Sequence, residues 1–92
     1  MKRTDRIRAM EEKFDKALEA AEALDRALEN FESAIPETEE LIAYYESGLW
    51  RRDYAADVDG KLPQDLKRGV LSQDGVYNLI ADYQRLKERI KD

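Results

Sequence analysis

The 92-residue chain reads as an all-α protein: a long N-terminal helix in an antiparallel hairpin or three-helix bundle, with a compact irregular insert before the C-terminal helix. Three observations carry this. Apolar residues recur at alternating spacings of three and four near both ends, no segment alternates at period two, and only four Gly and two Pro are present to make turns. The length suits a single domain, 1–92. Hydrophobic residues at 42% suffice for a small core, while 40% charged residues require an unusually charged surface.

The first helix is expected over about 5–34, capped by Thr4 or Asp5. Ile7, Met10, Phe14, Ala17, Ala21, Leu24, Leu28, Phe31 and Ile35 form an unbroken heptad seam. The residue before a proline is pushed out of helical geometry, so Pro36 ends the helix. Its length would be roughly 45 Å, more than a small core needs.

Pro36 then fits the first turn of a second helix, where Glu37, Glu39 and Glu40 favour the positive end. Leu41, Ile42, Tyr45 and Leu49 mark its apolar face, Ser47-Gly48 is a weak point, and Trp50 with Tyr54 extends helix to about Ala56. Asp57-Val58-Asp59-Gly60 reads as a turn. Pro63 can open a single helical turn that Gly69 closes. Ser72 is an N-cap for a last helix with the stripe Val76, Leu79, Tyr83, Leu86 and Ile90, widened by Ile80. Arg85, Lys87, Arg89 and Lys91 lie toward its negative end.

Cys and His are absent, which excludes disulfides, thiolate or imidazole metal ligands, Cys nucleophiles and His-based acid–base chemistry. Asp57, Asp59 and Gly60 do not make a calcium loop. With Gly60 sixth, Ala55 and Leu66 fall where acidic oxygen ligands belong. The pairs Glu29/Glu32 and Glu37/Glu40 lack the His of a di-iron helix motif and read as solvated acid. Ser72 has no His base and is explained as a cap. The basic residues Arg51, Arg52, Lys61, Lys67 and Arg68 alternate with Asp53, Asp57, Asp59 and Asp65, so the electrostatic stripe that nucleic acid requires nearly cancels. No catalytic residue, cofactor or metal site is expected. Neither a signal peptide nor an apolar span is present, which places the expected location in the cytoplasm.

Five of the eight aromatics fall in residues 44–78: Tyr44, Tyr45, Trp50, Tyr54 and Tyr77. Together with Asp53, Asp57, Asp65, Lys67 and Arg68 they form either a structural cap or an interaction surface. As a cap, the rings make a small core, Arg51 or Arg68 pairs with Asp53, Asp57 or Asp65, and Asp65 or Asp57 fixes the turn. As a surface, Trp, Tyr and Arg are the usual anchors. The cap is favoured, because a small domain needs its large rings inside.

The string Tyr44-Tyr45-Glu46-Ser47-Gly48-Leu49-Trp50, then Asp53-Tyr54, then the run from Gly60-Lys61-Leu62-Pro63 to Ser72, with Asp74, Tyr77, Asn78 and Leu79, resembles a bacterial family, the domain of unknown function 4298. The resemblance is specific over 44–79 and generic over the first helix. It implies a short, mostly helical chain of bacterial or phage origin and supplies no activity.

The expected function is non-enzymatic: a small helical protein-interaction or self-association protein, with Ile7 through Phe31 as the association seam. Residues 1–16 carry six basic and four acidic side chains, and residues 17–47 carry one basic and nine acidic. That asymmetry suggests an antiparallel homodimer, in which the basic start of one helix faces the acidic half of the other. The same acidic block suggests an alternative, an antitoxin-like or anti-defence inhibitor covering a basic protein surface. A third reading is a small ligand binder or enzyme using Asp53, Asp57, Lys67 and Arg68.

Overall fold

The computed structural model describes residues 2–91, and among these every regular element is helical. They are α1 (Arg3–Ser33), α2 (Ile35–Glu46), α3 (Gly48–Val58), a 3₁₀ turn (Gly69–Leu71) and α4 (Gln73–Lys91). The chain divides into two units, one up to Pro36 and one from Glu37 onward.

The first unit is α1 and the start of α2. Helix α1 begins two residues earlier than the capping residues suggest. Lys2 is its N-cap, with no side-chain cap, and Asp5 sits inside the first turn beside the positive helix end. Its 31 residues contain no buried side chain. At the far end Ala34 alone separates α1 from α2, its N–H donating to the carbonyls of Asn30 and Phe31. Pro36, which has no N–H to give, falls in the first turn of α2, where no intrahelical partner is needed.

The second unit is built around four buried side chains: Trp50, Leu71, Val76 and Tyr83. Helices α2 and α3 are interrupted at Ser47, whose Oγ donates to the Tyr44 carbonyl at 2.7 Å. Helix α3 runs two residues further than Ala56, absorbing Asp57 and Val58 from the expected turn. It closes at Gly60, whose φ of 72° is the left-handed conformation that glycine adopts without a Cβ penalty. Lys61 N–H bonds the Ala56 carbonyl and Gly60 N–H bonds the Asp57 carbonyl, the paired bonds of a Schellman cap.

The insert also departs from expectation. Pro63 and Leu66 close a hydrogen-bonded turn, but Gly69 opens a 3₁₀ turn instead of ending a helical one. Leu71, in that 3₁₀ turn, is buried, and the turn packs on both α3 and α4. Ser72 caps α4 as its sequence context indicates, accepting from Gly75 N–H at 3.2 Å. A Cβ at residue 75 would lie 3.1 Å from Ser72 Oγ, so glycine leaves room for the cap. The inward face of α4 runs through Val76, Ile80, Tyr83 and Lys87, while Leu79 and Ile90 are exposed. Leu86 is half-buried as well, so the expected stripe holds at Val76, Ile80, Tyr83 and Leu86 and fails at Leu79 and Ile90. Among the described residues no helix is long and apolar enough to cross a membrane.

Helices α2 and α4 are joined by a small polar network. Tyr83 Oη donates to Glu39 Oε1 at 2.8 Å, and Lys87 Nζ donates to the same oxygen at 3.2 Å. The Tyr83 and Lys87 hydrogen bonds hold the Glu39 carboxyl below its ordinary value. Burial, followed by the Glu39 bond, raises the Tyr83 phenol, and the Glu39 bond raises Lys87. A lowered carboxyl pKa gives stability that is present above the ordinary value of 4.5 and lost as pH falls through the lowered one. A raised phenol or ammonium pKa gives stability that is present below its ordinary value and lost as pH rises through the raised one. The urea midpoint of the wild type should therefore fall faster than that of Glu39→Gln on acidification below 4.5. Parallel curves for the two proteins would remove the network from the stability of the fold.

Candidate functional site

Two places gather the residues singled out by sequence, one in each unit. In the second unit Trp50 is 6% exposed. Its ring stacks on Tyr54 with centroids 5.2 Å apart and planes 17° from parallel. Tyr45 meets it edge-on, centroids 4.8 Å apart at 67°. Both geometries suit the ring quadrupole. These three rings come together because Trp50 and Tyr54 are one turn apart on α3, and Tyr45 precedes the Ser47 break that lets α2 and α3 change direction. The indole N–H donates to the Val70 carbonyl at 3.0 Å, so the one polar group of the ring is satisfied inside.

The charged residues of the segment are mostly engaged in the same scaffold. Tyr44 Oη donates to Asp53 Oδ2 at 2.5 Å across the α2–α3 break. That bond, reinforced by partial burial, pushes the Tyr44 phenol up to about 12. Arg68 Nη1 donates to Asp57 Oδ1 at 2.9 Å, tying the insert to the end of α3. Of the two aspartates proposed to fix the turn, Asp57 is the one that takes the arginine, whereas Asp65 is exposed, as is Lys67. The turn at 63–66 is closed by the backbone bond from Leu66 N–H to the Pro63 carbonyl.

Tyr77 is the correction to the expected ring cluster. It is 64% exposed. Val76 is buried on α4, and the next residue along a helix points about 100° away, which turns Tyr77 outward. Its place in the core is taken by Tyr83 and Leu71. Tyr83 stood on the expected apolar stripe, and Leu71 is an apolar residue in a polar insert. Neither Glu39 nor the Val70 carbonyl gave any local signal, since their partners lie 44 and 20 residues away.

Beside the rings is an open groove lined by Tyr45, Glu46, Ser47, Trp50, Arg51 and Gln73. Asp53, Asp57, Lys67 and Arg68 do not line it. Among the described residues no three acidic side chains converge on a point where they would hold a metal ion.

The second place is the α1 seam. Ile7, Met10, Phe14 and Leu24 are each more than half exposed, Phe14 and Leu24 reaching 60%, and Leu18 beside them is exposed too. Ala17 and Ala21 are exposed between them, and Leu28 and Phe31 are half-buried. The seam is thus a continuous apolar line on a charged helix, with small residues at its middle.

Two measurements test the ring scaffold. Trp50→Ala should destabilise the protein by about 3–5 kcal/mol in urea unfolding, the usual range for emptying a buried aromatic site. A variant that unfolds like the wild type would make the ring a surface anchor. In a tyrosinate absorbance titration Tyr44 should ionise near 12, and Asp53→Ala should return one phenol toward 10. Because the Tyr44 pKa is raised, the bond stabilises the fold below pH 10, and this contribution fades as pH climbs toward 12.

No curated protein and no solved structure matches the chain. A family model does, over residues 7–92, so the match takes in nearly all of α1 as well as the aromatic segment. The chain belongs to the family described as Domain of unknown function (DUF4298).

Proposed function

We propose that the protein is a non-enzymatic helical association module whose working surface is the seam of α1. The observation that carries this reading is the row Ile7, Met10, Phe14, Leu18 and Leu24, exposed along a helix that buries none of its residues. An apolar line of this length on an otherwise charged helix loses contact with water when a second helix lies along it, and heptad spacing suits a helical partner. The polar residues of the aromatic segment support the same reading from the other side. Asp53, Asp57 and Arg68 are engaged in bonds that hold the scaffold, and this argues for a structural cap in place of a ligand site.

In this reading residues 1–92 act as one domain, which the reach of the family match across both units supports. The rival use of the seam is internal, with α1 folded against α2 and α4 as a hairpin or three-helix bundle. Affinity purification from a lysate of the source organism, with wild-type and Leu24→Glu baits, tests the proposal. The wild type should retain a protein, a second copy of the chain or another, that the variant does not. Equal retention by both baits would overturn the seam as the surface. Retention of a strongly basic protein by both would instead favour an inhibitor acting through the acidic block at 17–47.

A further inference from the structure

We infer that the occupant of the α1 seam is a second copy of this chain, running antiparallel, with Ala17 of one helix opposite Ala21 of the other. This rests on the reading of α1 as an association surface and adds the partner, its direction and its register.

The register follows from matching the seam to its own reverse. In an antiparallel pair of heptad helices, each first-type seam position faces a second-type position of the partner. With Ala17 opposite Ala21, Phe14 meets Leu24 and Met10 meets Leu28. Small residues meet small and large meet large, and the two-fold axis makes every layer occur twice. Sliding by one heptad sets Ala21 against Leu24 and Ala17 against Leu28, which leaves the small side chains against large ones and the layers uneven.

The flanking positions select the same register. The axis passes between residues 17 and 21, and the two helices come closest there because both central layers are alanine. On one side of the axis Leu18 meets its own copy. Leu18 is the one apolar residue among the flanking positions 11, 18, 25 and 32, and it is exposed in the single chain. On the other side Ala20 meets its own copy, which lets the backbones approach. An exposed leucine at the axis, faced by alanine on the opposite side, is what a self-complementary crossing requires. A parallel pair would instead stack Phe14 on Phe14 and set each Leu18 beside Lys13 of the partner.

The overall charge of the two halves of α1 favours the same direction. Residues 3–16 of α1 carry five basic and four acidic side chains, and residues 17–33 carry one basic and five acidic. Parallel copies would set the acidic halves side by side. Antiparallel copies set each acidic half beside the weakly basic start of the other. The individual flanking contacts oppose it: Glu11 falls beside Asp25 of the partner twice, once on each side of the two-fold axis, whereas a parallel pair would set Arg6 beside Glu11.

The chain has no cysteine, so single substitutions report the pairing directly. Chains carrying Ala17→Cys and Ala21→Cys are mixed in equal amounts in a glutathione redox buffer, and the linked dimers are identified by mass spectrometry. Opposed alanines at a close crossing are within disulfide reach. The mixed 17–21 disulfide should exceed its statistical share, and Glu11→Lys should tighten the dimer in low salt, an effect that fades as salt is added. Dominant 17–17 and 21–21 disulfides would overturn the antiparallel register. Sedimentation equilibrium covers the remaining cases. A monomer at about 100 μM whose Leu24→Glu variant melts unchanged overturns the second copy but leaves the seam to a different partner. A monomer destabilised by Leu24→Glu overturns both, since the seam then belongs to an internal bundle.

Discussion

The second unit depends on the burial of Trp50 with its indole N–H on the Val70 carbonyl. The insert between α3 and α4 is mostly polar, so it has little of its own to collapse on. A single large ring, reached from α3, is buried as Leu71 and Val76 are. The hydrogen bond then fixes where the backbone of the 3₁₀ turn must stand. The indole N–H, carried by a ring that is itself buried, would be costly without a partner, and the Val70 carbonyl supplies one. The turn packs on α3 and on α4, so this one contact sets the position of three elements.

Polar contacts arranged around that ring do the rest of the tethering. Tyr44 with Asp53 braces the α2–α3 break, Arg68 with Asp57 holds the insert to the end of α3, and Glu39 with Tyr83 and Lys87 joins α2 to α4. Each spans a different gap. Arg68, Asp57, Lys87 and Glu39 are partly solvated, so these bonds direct the packing more than they strengthen it. Among its described residues the unit buries four side chains, a small core even for its length, and it gains definition from such directional bonds.

Helix α1 follows a different logic. Good helix formers and i,i+3 charge pairs such as Asp5 with Arg8 sustain it locally, without any buried side chain of its own. Its apolar line is regular where a merely soluble helix has no need of regularity. The alanines at 17, 20 and 21, with Leu18 among them, concentrate small residues at one point of a long surface. That local economy of volume is what the proposed helix–helix contact would use.

The helical class, the heptad line of α1, the break at Ser47 and the Ser72 cap were all legible in the sequence, because each depends on residues within a few positions of one another. Helix periodicity, proline's missing N–H and a hydroxyl reaching a nearby amide are local physics. Burial of Trp50 was legible too, from the cost of leaving a large ring in water in a small domain. The tertiary structure alone decided which other groups share its environment. Tyr77 and Tyr83 stand on the same helix, and only the direction from which α2 and the 3₁₀ turn approach determines that Tyr83 turns inward. The choice of Asp57 over Asp65 for Arg68, and of the Val70 carbonyl for the indole, was likewise open until the insert had a path. Contacts between residues 11 to 48 positions apart depend on how elements meet, and that is set by the fit of whole surfaces, which no local pattern encodes.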